Sequence, residues 1–407
     1  MRFACRLFGW LLPVVWILST ALQTGAQNTT PSLSGDAAAL IQQARQGDAQ
    51  AQVYIGLMYG TGQGVPKNEV EAVRWYREAA QQGNAGAQFL LGSMYDSGQG
   101  VPKDEVEAVR WYRDAAQQGH AGAQFVLGSK YDNGRGVPKD EAEAAHWYVA
   151  AAQQGNAGAQ FFLSNAYAAG RGVPKDDVEA ARWCRKAAEQ GHAGAQFSLG
   201  SMYDSGQGVL KDEAEAVSWY RKAAGQGFAK AQFILGVMYA TGNGVQKDET
   251  QAVFWYRKAA ELGNAGAQFS LGLTYQFGLG VTKNESEAVL WFGKAAEQGD
   301  ADAQYSLGVM YTNGEGVQKN DAEAARLYRS AAEQGNAQAQ NALGIAYAIG
   351  KGVPKDSVEA VRWFRKGAEL GNADAQNNLM KMKQSKAPRG KLAAATRKSR
   401  SVTATGQ

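Results

Sequence analysis

The sequence predicts an all-α fold, a solenoid of stacked antiparallel helix pairs, and three observations carry that prediction. A unit of 36 residues is written nine times without a gap through residues 49–372. Tryptophans mark its period at Trp75, Trp111, Trp147, Trp183, Trp219, Trp255, Trp291 and Trp363. Each unit holds two apolar stretches at helical spacing with a glycine-rich turn between them. A period of this size belongs to units that cannot bury their own apolar face and lean on their neighbours. Function is then expected along a surface rather than in a pocket.

Residues 1–26 read as an export leader. Arg2 and Arg6 supply positive charge, an apolar run extends from Leu7 to about Leu22, and Thr24-Gly25-Ala26 offers small residues for cleavage before Gln27. Pro13 and the shortness of the run argue against a membrane span. Residues 27–35 are a linker, and Asn28-Thr29-Thr30 is a glycosylation acceptor only in a host that modifies exported chains. Residues 36–48 resemble a lone second helix and are expected to cap the array.

Residues 85–120 represent the repeat. Ala87, Leu91, Met94 and Tyr95 form a helical stripe, and Gly98 and Gly100 stand where the chain leaves that helix. Asp104 and Glu107 then predict a reciprocal capping box at the start of a second helix. Ala108, Trp111, Tyr112, Ala115 and Ala116 mark its buried face, and Gly119 ends it. The following residue (Asn84, His120, Asn156, His192, Asn264, Asp300 or Asn336) is placed to cap the next unit's first helix. The alanine pair is expected to face the glycine in a neighbour's first helix, Gly92 or its equivalents, so that helices approach closely. Burying ~150–250 Å² of each tryptophan stabilises by about 4–6 kcal/mol before entropy, which makes these rings core.

Residues 373–382 resemble a lone first helix carrying Asn377 and Asn378 at apolar positions, a polar cap. Residues 383–407 are expected to be a disordered basic tail. From Lys381 onward the chain has eight lysines and arginines and no acid; setting these and the two leader arginines aside leaves 32 basic against 38 acidic residues. The array therefore lacks the charge of a nucleic-acid binder, while the tail is suited to an anionic polymer or membrane surface. Of the two cysteines, Cys5 lies in the leader and Cys184 replaces the repeat's Tyr or Phe, so a cleaved chain cannot form an internal disulfide.

The motif Ala87-x-x-x-Leu91-Gly92-x-x-Tyr95, then Gly98-x-Gly100-Val101, then Glu107-Ala108-x-x-Trp111-Tyr112-x-x-Ala115-Ala116-x-x-Gly119 resembles the Sel-1-like repeat, a relative of the tetratricopeptide repeat. The resemblance spans about residues 36–382. It implies a right-handed α-solenoid that acts as an adaptor or scaffold, with first helices lining the concave face; in tetratricopeptide relatives that face receives peptides. One secreted, cysteine-rich branch of the family is associated with β-lactamase-like activity and carries paired cysteines in each repeat, which this chain lacks.

The candidate binding residues form a ladder at the fifth position of each unit: Phe89, Phe125, Phe161, Phe197, Phe233, Phe269 and Tyr305. Ser93, Ser129 and Ser201 follow on the same side, then Asp96, Asp132 and Asp204. Aromatic, hydroxyl and carboxylate groups together suit a peptide with basic residues; the alternative is that the rings wedge between helices as core. A lysine ladder from Lys67 to Lys355 reads as a solvated loop edge compensated by the following Asp or Asn. The Gly-x-Gly turns do not read as phosphate cradles, because carboxylates already cap the helix starts. His120, His146 and His192 lack zinc-ligand spacing, and the repeated acids are too regular for a tuned acid–base pair. The reading is an exported, non-enzymatic protein that takes no cofactor or metal, acts as a monomer and holds a protein or peptide partner. A lactam-hydrolysing or wall-processing enzyme and a tail-driven envelope-polymer binder are the alternatives.

Overall fold

The computed structural model describes residues 36–385, so the expected leader, linker and tail beyond Ser385 lie outside the described residues. The described residues divide into two compact units, with the boundary between Asn156 and Ala157. In the first, α1 (Asp36–Arg45) precedes α2 (Ala49–Thr61), α3 (Glu69–Gln81), α4 (Ala85–Ser97), α5 (Glu105–Gln117), α6 (Ala121–Asn133) and α7 (Glu141–Gln153). The second begins with α8 (Ala157–Ala169), α9 (Asp177–Glu189), α10 (Ala193–Ser205), α11 (Glu213–Gly225), α12 (Ala229–Thr241) and α13 (Glu249–Glu261). It continues with α14 (Ala265–Phe277), α15 (Glu285–Glu297), α16 (Ala301–Asn313), α17 (Asp321–Glu333), α18 (Ala337–Ile349), α19 (Ser357–Glu369) and α20 (Ala373–Ser385). The last helix runs three residues past the expected end at Met382. The described residues contain helices and turns and no strand.

Within each unit, a repeat's first helix packs against its own second helix, and that second helix packs against the next first helix. Side-chain oxygens start both kinds of helix. Asn84 Oδ1 accepts from Ala87 N at 2.9 Å, and Asp104 Oδ1 accepts from Val106 N and Glu107 N, both at 3.0 Å. The reciprocal half of the expected capping box is absent here. Asp104 N donates instead to Tyr95 O at 2.9 Å, which ties the turn to the first helix, while the Glu107 carboxylate meets Arg110. Gly98 and Gly100 end the first helix at φ 75° and 70°. A side chain on Gly100 would also strike Glu69 O of the preceding repeat at 2.2 Å, so this turn needs glycine for conformation and for space.

The glycine in each first helix has a different partner from the one expected. A Cβ on Gly92 would lie 2.9 Å from the Tyr112 ring, and one on Gly200 would lie 2.8 Å from Tyr220. The glycine thus seats the aromatic ring of its own second helix rather than a neighbour's alanine pair. That pair meets the next first helix: Ala79, Ala80 and Ala87 share one buried cluster. One repeat makes a matched exchange, with Ser164 in place of the glycine and Cys184 in place of the ring, both buried. Cys184 Sγ donates to Ala195 O at 3.3 Å, and burial pushes its thiol up to about 11, so it is an inert filler.

Buried glutamines run through the seams between repeats. Gln88 Nε2 donates to Ala80 O at 3.2 Å, and its Oε1 accepts from Gln118 at 2.7 Å. In the second unit Gln196 likewise reaches Ala188 O at 3.1 Å and accepts from Gln226 at 2.8 Å. Two seams lack the donor because Leu262 and Leu370, both 57% exposed, replace it. There the buried Oε1 atoms of Gln232 and Gln340 have no partner among the described residues. An unsatisfied buried acceptor costs about 1–3 kcal/mol. Leu262→Gln and Leu370→Gln are therefore each expected to raise stability by about 1 kcal/mol, read as a higher urea midpoint; an unchanged or lower midpoint contradicts the ladder.

Candidate interaction face

The first helices present one solvent-facing stripe, at repeat positions two, six, nine and thirteen. In α4 these are Gly86, Leu90, Ser93 and Ser97, with both serines exposed. The fifth-position ladder flanks this stripe and leans into the repeat. Phe89 is 9% exposed and the other six rings are half-buried. All but Phe161 pack on the ring, or its equivalent, of the second helix. Phe89 lies 5.7 Å from Tyr112, Phe197 5.6 Å from Tyr220, Phe233 6.1 Å from Tyr256, Phe269 5.7 Å from Phe292 and Tyr305 5.9 Å from Tyr328. Phe125 is 6.1 Å from Tyr148, and Phe161, whose own second helix carries Cys184 in place of a ring, lies tilted 4.8 Å from the capping His192. The rings thus join wedge and edge, with one side packed and the rest toward solvent.

The acidic residues of the candidate site are not equivalent. Asp96 is ion-paired with Lys130, whose long side chain stands where most repeats carry Met or Ala, and both side chains are more than nine-tenths buried. Its carboxylate is therefore committed within the first unit rather than offered to a partner. Asp132 and Asp204 are half-buried, and Asp204 lies close enough to Tyr220 to reinforce the upward push that burial gives its hydroxyl, to about 12. The lysine ladder finds its partners two residues on instead of at the cap: Lys67 meets Glu69 at 2.7 Å, Lys211 meets Glu213 at 2.9 Å and Lys283 meets Glu285 at 2.8 Å. Such exposed pairs contribute little energy but cancel the ridge's charge. A hydrogen bond from Arg135 at 2.5 Å, helped by Lys103, holds Glu105 down near 2.

His120 and His192 are caps with a neutral requirement. Each Nδ1 accepts from a backbone N–H at 3.1 Å, Ala123 and Ala195 respectively, and burial lowers both from the usual 6.5. The unfolded chain takes up protons at higher pH than the folded one, so stability is full above about 6.5 and falls as pH drops toward the folded values. Asn occupies the same cap elsewhere, as at Asn84 and Asn264. His120→Asn with His192→Asn should keep the caps and flatten the stability profile below pH 6.5. A profile as steep as the parent's places the titration elsewhere.

The sequence reading passed over the change in character along the ninth position. It is Leu57, Ser93 and Ser129 in the first unit and Asn165 and Ser201 at the start of the second, then aliphatic at Val237, Leu273, Val309 and Ile345 in the last four repeats. Phe277, Ile345 and Ile349 are 64%, 40% and 60% exposed there. Listing each repeat position down the nine copies would have found it. Among the described residues no group of three or more His, Cys, Asp or Glu side chains is placed to hold a metal, and no helix is long and apolar enough to cross a membrane.

Repeated helix pairs with their chemistry spread along a face define an α-solenoid. The Sel1 repeat pattern matches nine consecutive segments, residues 49–84, 85–120, 121–156, 157–192, 193–228, 229–264, 265–300, 301–336 and 337–372. The chain belongs to the Sel1 repeat family. A protective antigen of uropathogenic Escherichia coli displaying an SLR fold is similar, with 32% identity, a TM-score of 0.66, and coverage of 88% of this chain and 92% of that one. A Sel1 repeat protein from Oxalobacter formigenes has 33% identity and a TM-score of 0.60, covering 90% of this chain and 99% of that one. No curated protein matched the sequence. The fold is one typical of protein–protein interaction scaffolds.

Proposed function

We propose that this chain is an exported, non-enzymatic scaffold, periplasmic or secreted, that acts as a monomer and holds a protein or peptide on the face of its first helices. One observation carries the reading. On first helices of the second unit Phe277, Ile345 and Ile349 are exposed and Val237, Leu273 and Val309 half-buried, four of the six at position nine of successive repeats; the second helices expose Val178, Phe254, Leu290 and Val358 among charged residues such as Arg182, Arg326 and Arg362. Apolar side chains that recur at one position of successive first helices form a stripe, exposed apolar surface is a mark of binding faces, and the fifth-position rings border this stripe. Export rests on the leader, and it accords with the role of the E. coli relative as a protective antigen, since antibody meets exposed antigens. The basic tail is a secondary contact for anionic polymer or membrane surface.

The test is photo-crosslinking in the native host, with a benzophenone amino acid at Ser201 or Val309 of the first helices and at Val178 or Arg362 of the second. Crosslinks to one common protein from the first pair alone support the face. Equal crosslinking from both pairs, or from the second pair only, contradicts it.

A further inference from the structure

The seam between residues 229–264 and 265–300 differs from its neighbours. Position ten carries Thr274 where Met202, Met238 and Met310 stand elsewhere, and position twelve of the preceding repeat carries Ala240 where Asp96 and Asp204 stand. Small residues at both places open a cleft of about 330 Å³ walled by Ala240, Ala252, Leu273, Thr274 and Leu279. Position fifteen is polar or charged in the other eight repeats but is Leu279 here.

Tyr256, 6% exposed, lines the same cleft. Three of its counterparts have hydroxyl neighbours, Ser93 for Tyr112, Ser201 for Tyr220 and Thr312 for Tyr328, the last at 2.9 Å. Val237 occupies the serine position beside Tyr256, and the Tyr256 hydroxyl makes no hydrogen bond to any described residue. The rim carries Lys247 paired with Glu249 at 3.1 Å, so no net charge faces the cleft. Apolar walls, a neutral rim and the hydroxyls of Tyr256 and Ser270 complement an uncharged ring with one polar tip.

We propose that this cleft receives one tyrosine side chain of the partner protein, its ring between Leu273, Ala252 and Leu279 and its hydroxyl paired with that of Tyr256. The inference rests on the scaffold reading above and names one residue the partner must supply. Leu273, half-buried at position nine of α14, joins the cleft wall to the first-helix stripe proposed to bind.

Two variants already have precedent inside the chain. Phe stands at the Tyr256 position at Phe292 and Phe364, and Met at the Thr274 position at Met202 and Met310, so both replacements fit the repeat. N-acetyl-tyrosinamide titrated into the full chain should shift the amide resonances of Ser270 and Thr274, with N-acetyl-phenylalaninamide binding about fivefold more weakly for want of the hydrogen bond. Tyr256→Phe should remove the preference between the two ligands, and Thr274→Met should remove binding of both. No shift in the parent, a preference that survives Tyr256→Phe, or shifts that survive Thr274→Met would overturn the inference. Undiminished partner capture by Thr274→Met also overturns it while leaving the first-helix face standing, whereas the crosslinking result bears on that face alone.

Discussion

Gly200→Leu will destabilise the second unit by about 3 kcal/mol or more, the upper end of what overpacking a core costs. Even a Cβ there would lie 2.8 Å from the Tyr220 ring and 3.2 Å from Ala216 O, and a ring and a backbone carbonyl cannot both retreat. The loss should centre on α10 and α11, which the glycine joins, and appear as faster hydrogen exchange in those helices. The chain itself supplies the compensating design, because Ser164 faces Cys184 where the glycine and the ring would be. Gly200→Ser alone should therefore destabilise, and Gly200→Ser with Tyr220→Cys should recover part of the loss in a double-mutant cycle. A Leu variant with the parent's urea midpoint, or strictly additive Ser and Cys changes, would show that these two positions do not share one space.

Phe197→Ala should cost about 2 kcal/mol, less than the ~3–5 kcal/mol of a fully buried phenylalanine. The ring is half-buried, 5.6 Å from Tyr220 and 5.2 Å from Phe228, so truncation removes packing on one side only. If the remaining side touches a partner, capture falls by more than the unfolded fraction explains. Capture that tracks the melting curve alone would make the ladder packing and nothing more, and an unchanged midpoint would contradict the packing seen here.

The period, the helix pairs and the caps were legible because each depends on residues within a few positions of one another. Asn84, Asp104 and Gly98 declare their roles locally, and Trp111 and Ala115 repeat at fixed offsets. What escaped depends on pairing between segments. The glycine's partner is Tyr112, twenty residues on, and not the alanine pair, which periodicity cannot distinguish when every position recurs with the same spacing. The glutamine ladder joins residues thirty apart, as Gln88 and Gln118 do, and two polar residues look like surface until both are seen in one seam. The capping box failed for a related reason: Tyr95 O, from the preceding helix, outcompetes Glu107 for the Asp104 N–H. Asp96 read as a free carboxylate because Lys130 lies in the next repeat, at a position the consensus fills with methionine.

The central claim is that binding resides on the first helices of the second unit, and partner affinity measured on two exposed-site variants tests it most directly. Phe277 and Val358 are both exposed, at 64% and 71%, but the first ends the first helix α14 and the second begins the second helix α19. Phe277→Asp should leave melting unchanged and weaken the crosslinked partner about tenfold or more, as loss of an aromatic anchor does, while Val358→Asp should change neither. Full affinity in Phe277→Asp together with weakened binding in Val358→Asp would put the interface on the second helices and contradict the account.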